Sequence, residues 1–90
     1  MRIVFMGTPD FAVPALQSLH AAGHEIALAV TQPDRPKGRG RKVEPPPVKA
    51  AAAVLGCPVV QPASLRDEAT LQTLKNAEAD FFIVVAFGHL

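Results

Sequence analysis

Apolar residues in this chain follow two patterns. Four runs are continuous or nearly so: Ile3 to Met6, Ile26 to Thr31 with the threonine at its end, Val59-Val60 and Phe81 to Ala86. Unbroken runs of this kind suit strands buried on both faces of a parallel sheet. Between them apolar residues recur at helical spacing, as Ala12, Ala15, Leu16, Leu19 and Ala22, then Val48, Ala51, Ala52 and Leu55, then Leu71 and Leu74. Glycine and proline punctuate these segments. Gly7 ends the first run, where a tight or left-handed turn is expected. Thr8 and Asp10 can cap a helix and Pro9 suits a first helical turn, with the regular helix starting around Val13. Gly23 is a C-cap candidate for that helix. Pro47 opens the second helix and Gly56 ends it. Ser64 with Asp67 resembles a capping box for a third helix, which fades near Asn76.

Strand and helix alternate, which specifies an α/β class with a Rossmann-like, doubly wound parallel sheet. The expected strand order is third, second, first, fourth, with the fourth run beside the first across the switch point. No balancing helix follows the fourth run, so residues 1–90 are expected to be the first part of a larger domain that is incomplete at Leu90. Ligands of such sheets bind at the carboxyl ends of the strands. The turn after the first strand and the segment leaving the fourth should both face a site.

The composition is that of a globular protein, 49% hydrophobic over 90 residues. No run is long enough to span a membrane and no signal-peptide pattern precedes the first strand, so a soluble cytoplasmic protein is expected. Cys57, the single cysteine, forms no internal disulfide and reads as a small packing residue between Gly56 and Pro58. The net charge of +1 conceals an asymmetry. From Gln32 to Lys49, six basic side chains face two acidic ones, a net +4 that leaves −3 for the rest. Gln32 to Pro47 shows neither helical nor strand pattern, and loops of that length are usually functional or disordered. Cations alternating with glycine on a proline-stiffened segment suit phosphate contacts. The plainer alternative is a solvated surface loop.

Other chemistry is sparse. Pro9 stands where a dinucleotide fingerprint needs its second glycine, which disfavours a nucleotide-dependent oxidoreductase. His20 and His24 fall at a helix end, where cations suit the dipole, and no metal site is indicated. No nucleophile–base constellation can be assembled. His89 follows the fourth strand and is as easily a loop residue as a general base.

Four stretches together resemble the methionyl-tRNA formyltransferases: Gly7-Thr8-Pro9-Asp10-Phe11, Thr31-Gln32-Pro33-Asp34-Arg35-Pro36 with Gly38-Arg39-Gly40, Val48-Lys49, and Val84-Val85-Ala86-Phe87-Gly88. The match runs in order along essentially the whole chain. The resemblance implies a Rossmann-like formyltransferase domain, with a separate C-terminal β-barrel in the longer family protein. It also implies formyl transfer from 10-formyltetrahydrofolate, a formyl-donor substrate rather than a metal-dependent group, to the α-amine of methionyl initiator tRNA in translation initiation. By the same resemblance, Arg35, Lys37, Gly38, Arg39, Gly40, Arg41 and Lys42 meet the tRNA. Ala86, Phe87, Gly88, His89 and Leu90 match the start of the folate pocket, and Gly7, Thr8, Pro9, Asp10 and Phe11 the turn beside the substrate end. The family's catalytic Asn, His and Asp fall beyond Leu90, so no catalytic residue is expected within this stretch, and no protein partner is evident. Two alternatives are a folate-dependent formyltransferase acting on a small amine or nucleotide sugar, which would not need the basic loop, and a nucleic-acid-binding module without catalysis.

Overall fold

The structure, a computed structural model, describes residues 1–37 and 42–85. Strand β1 (Arg2–Gly7) leads through a 3-10 turn (Asp10–Ala12) into helix α1 (Val13–Ala21). Strand β2 (Glu25–Val30) is followed by two short strands, β3 (Arg35–Lys37) and β4 (Lys42–Glu44), and by helix α2 (Pro47–Leu55). Strand β5 (Val59–Val60), helix α3 (Glu68–Asn76) and strand β6 (Phe81–Val85) complete the order.

The main sheet runs β5-β2-β1-β6 with every neighbouring pair parallel, which is the expected order. Its two faces are covered by different helices. Ile3 and Phe5 of β1 pack with Ala12 and Leu16 on one side and with Val48 and Ala52 of α2. Val4 and Met6 point the other way, into a cluster with Ala77, Leu74 and Leu65 around α3. Apolar side chains on both faces explain why β1 reads as a continuous run rather than an alternating one.

Strand β2 breaks this alternation at one place. Ile3 pairs with Ile26 but Val4 with Leu28, so Ala27 is an extra residue opposite β1. Ile26 and Ala29 consequently face α1 and α2, while Leu28 and Val30 face α3. The bulge resets the face of the strand and keeps four of its apolar residues buried.

Helix ends follow the glycines closely. Gly56 caps α2 with φ +75°, and Gly23, one residue beyond the cap of α1, has φ +91°. Cys57 lies just beyond Gly56 and packs against the α1/α2 core.

Four expectations need correction. Gly7 is not a left-handed turn residue; it is the last residue of β1, paired with Val85. A Cβ there would lie 2.9 Å from the Val85 carbonyl oxygen and from Phe5 Cε2, and 3.1 Å from Ala12 Cβ. Close approach of backbone, not backbone conformation, requires glycine. Second, neither Thr8 nor Asp10 caps a helix: Pro9 is the N-cap of the 3-10 turn and no side chain caps it. Third, the stretch expected to lack pattern contains an antiparallel hairpin, with Arg35 opposite Glu44 and Lys37 opposite Lys42. Pro36 disguises it, but proline is tolerated in edge strands, and both strands of a two-stranded ribbon are edges. Fourth, Ser64 forms no capping box. Its Oγ accepts the Arg66 N–H at 3.1 Å in a local turn, and α3 begins only after Asp67.

Strand β6 is less enclosed than its composition implies. Among the described residues it pairs only with β1, and Phe81, Phe82 and Val84 are about half exposed.

The amino end of the sheet is closed by Arg2. Its Nε donates to the Ala77 carbonyl at the end of α3, and its guanidinium pairs with Glu25. Its backbone N–H donates to Asp80 Oδ2 at 2.8 Å, while the Asp80 N–H returns a bond to the Arg2 carbonyl at 2.7 Å.

Candidate functional site

Parallel pairing puts the carboxyl ends of all four strands on one edge, at Gly7, Val30, Val60 and Val85. The segments leaving that edge are tied together by polar bonds. Thr31 is fully buried; its N–H donates to the Val60 carbonyl at 3.0 Å and its Oγ1 to the Gln32 carbonyl at 3.1 Å. The Gln32 N–H donates to Thr8 Oγ1 at 3.2 Å, and the Val48 N–H to the Thr8 carbonyl at 3.3 Å. Thr8 therefore joins the end of β1 to the residues after β2 and to the first turn of α2. A hydroxyl suits this place because it accepts the bond on a short, rigid stem.

Asp34 is the second junction. Gln61, the residue after β5, donates from Nε2 to Asp34 Oδ1 and also to the Gln32 carbonyl at 3.1 Å. Lys49 of α2 donates from Nζ to both Asp34 carboxylate oxygens, at 3.2 and 3.3 Å. The Gln61 amide first, and the Lys49 ammonium second, hold the Asp34 carboxyl below the ordinary carboxylate value of 3.8. Asp34 is thus an anion with both oxygens engaged, not a proton carrier.

The expected site residues divide into three groups. Gly7 to Phe11 do lie at the strand-end edge, with Thr8 bonded as above and with Asp10 and Phe11 exposed. Arg35 and Lys37 are in β3 and Lys42 in β4, directly beyond Asp34. Gly38, Arg39, Gly40 and Arg41 lie outside the described residues, as do Ala86, Phe87, Gly88, His89 and Leu90. Gln61 was not singled out by its sequence. The available signal was its position: a lone polar residue following a short apolar strand sits at the ligand-binding edge by construction. Asp34 and Lys49 counted as charges and as members of the stretches that carry the resemblance, with no role of their own.

Gln61 also borders a hollow of about 270 Å³, lined by Val60, Pro62, Ala69, Thr70 and Thr73. Among the described residues no three His, Cys, Asp or Glu side chains are grouped to hold a metal ion. Burial pushes the Cys57 thiol up, so it stays protonated and poorly nucleophilic at neutral pH. Among the described residues no helix is long and apolar enough to cross a membrane.

Comparison with known proteins places this edge in context. A family model described as formyl transferase matches residues 1–90. The chain is 57% identical to a methionyl-tRNA formyltransferase from Moorella thermoacetica over 90 residues, all of this chain and 29% of that protein. It is 59% identical to one from Heliobacterium modesticaldum, again over the whole chain and 28% of that protein. The chain thus spans less than a third of these relatives' length. Its fold is similar to a phosphoribosylglycinamide formyltransferase from Bacillus halodurans, with TM-score 0.65 at 20% identity, covering 100% of this chain and 47% of that one.

Proposed function

The chain belongs to the formyl transferase family, and we propose that it is the N-terminal part of a cytoplasmic enzyme that formylates methionyl initiator tRNA. The formyl donor on this reading is 10-formyltetrahydrofolate. The observation that favours a tRNA over a small amine is the charge beyond Asp34. Asp34 and Lys49 neutralise each other, so residues 35–44 keep five basic side chains against Glu44 alone. A row of cations gives affinity for a phosphate backbone and has no purpose toward a small neutral amine.

Each part of the chain then has a role. The hairpin residues Arg35, Lys37 and Lys42, with Gly38, Arg39, Gly40 and Arg41, grip the acceptor arm. Gly7 to Phe11 border the methionyl end, and Ala86 to Leu90 begin the folate pocket. Attack of the neutral amine on the formyl carbon develops an oxyanion that needs preorganised donors. Those donors, an Asn, a His and an Asp on this reading, follow Leu90. This stretch supplies binding and orientation.

Two experiments test the reading. In the full-length protein, Arg39→Ala or Arg41→Ala should lower kcat/KM for methionyl-tRNA by about 1–3 kcal/mol each, with folate affinity unchanged. Equal loss of folate affinity in a titration refutes this division of labour. Residues 1–90 expressed alone should give no formylated product above a no-protein control, and should self-associate through the half-exposed Phe81, Phe82 and Val84. Turnover by that piece would return His89 to consideration as a base.

A further inference from the structure

Asp34 occupies a particular place in the chain: it is the residue immediately before β3, while Lys49 lies in the first turn of α2, the element after β4. Their ion pair therefore joins the entry of the hairpin to its exit. Gln61 fastens the same carboxylate to the end of β5 and, through the Gln32 carbonyl, to the end of β2. We propose that Asp34, Lys49 and Gln61 form a clasp that sets the direction in which hairpin β3–β4 leaves the sheet, making them positioning residues for the partner that the hairpin grips. That the hairpin grips a partner, and that this partner is a tRNA, rest on the function proposed above; the clasp itself does not.

The physical case is one of leverage. A two-stranded ribbon is marginal by itself, and among the described residues this one pairs only within itself. Without the clasp its two backbone connections would let it swing as a unit. The clasp fixes both connections against strands that are themselves locked by the core. Asp34 and Lys49 are about one-third exposed, at 32% and 35%, and exposed pairs of this kind add little to global stability. The effect is therefore expected in orientation, and so in the affinity for a partner contacted at a distance.

The test uses the full-length protein with Asp34→Asn and, separately, Lys49→Met, which keeps the aliphatic stem. Amide hydrogen exchange is followed at Gln32 and Val48, whose N–H groups both end on Thr8, and across β1. Expected are at least fivefold faster exchange at Gln32 and Val48 with β1 unchanged, and about a tenfold rise in KM for methionyl-tRNA at constant kcat and folate affinity. The double reversal D34K/K49D should restore both readouts only in part, because it rebuilds the ion pair while the Gln61 amide cannot accept from the new cation and still donate to the Gln32 carbonyl. Unchanged exchange in both single variants overturns the clasp. Faster exchange with unchanged KM for tRNA overturns its positioning role, and a matching loss of folate affinity overturns it in favour of a direct binding role. If the unaltered full-length protein does not formylate methionyl-tRNA, the proposed function fails, and the exchange arm still decides the clasp.

Discussion

At the amino end of the sheet, Arg2 reaches the last carbonyl region of α3, the first residue of β2 and the segment before β6. At the carboxyl end, Asp34 reaches α2 and the residue after β5. Each residue is the centre of several bonds, with the Asp80 bond of Arg2 made by its backbone N–H, yet what the two tie together differs. Arg2 binds atoms at the ends of elements that the core already holds, including a helix C-terminal carbonyl that favours a cation. Asp34 also binds parts that the core holds, α2 and the end of β5, but it stands itself at the base of a hairpin outside the main sheet. The same chemistry therefore serves cohesion at one end and direction at the other. What decides is whether the bonded parts would stay together without it.

The contrast can be broken most severely at Gly7, where both roles meet. Gly7→Ala places a methyl group 2.9 Å from a backbone oxygen that cannot rotate away. A loss of about 1–3 kcal/mol is expected from such overpacking, read as a lower Tm, together with reduced formylation. A variant with wild-type Tm would show that β1 and β6 have room to part.

Arg2→Met should give a smaller effect confined to stability. The Arg2 side chain is 40% exposed and that of Glu25 64%, so their pair counts for little, and the bond to the Ala77 carbonyl carries most of the loss. About 1–2 kcal/mol is expected in denaturant unfolding, with KM for tRNA unchanged. A rise in KM without a stability loss would erase the distinction between the two ends.

The smallest effect is the pH response of the carboxyl end. Because folding lowers the Asp34 pKa, its contribution is fully present above 3.8 and is lost as pH falls through the lowered value. Exchange protection at Gln32 and Val48, corrected for the intrinsic pH dependence, should hold from neutrality down to that range and then fall. Asp34→Asn should remove the dependence. Protection lost already between pH 7 and 5 would assign the end to another group.

Hydrophobic periodicity made much of this molecule legible. The run Ile3 to Met6 declared a doubly buried strand, and Val48, Ala52 and Gly56 marked the inner face and the end of α2. Four parallel strands joined by helices then leave few orders open, and the expected one is observed. Features that depend on distant residues meeting were not legible. The Ala27 bulge arises from pairing with β1, which no local pattern encodes. Gly7 is required by a contact that no local pattern shows, since the Val85 oxygen that crowds it is far along the chain. Gln61 looks unremarkable until β5 is set beside β2 and its amide meets Asp34.

The cross-tie between Asp34 and Lys49 has a consequence for how this segment can change over generations. Residues 35–48 form a loop whose ends are held together from within, so their separation does not depend on what lies between. Closing a flexible loop becomes more costly only logarithmically, by about 0.6 kcal/mol for each doubling of length. Insertions and deletions inside the tie can lengthen or shorten the reach of its cations while strand order, register and both helix-covered faces stay as they are. Length within the tie therefore costs little free energy, whereas loss of Asp34 or Lys49 releases both its ends.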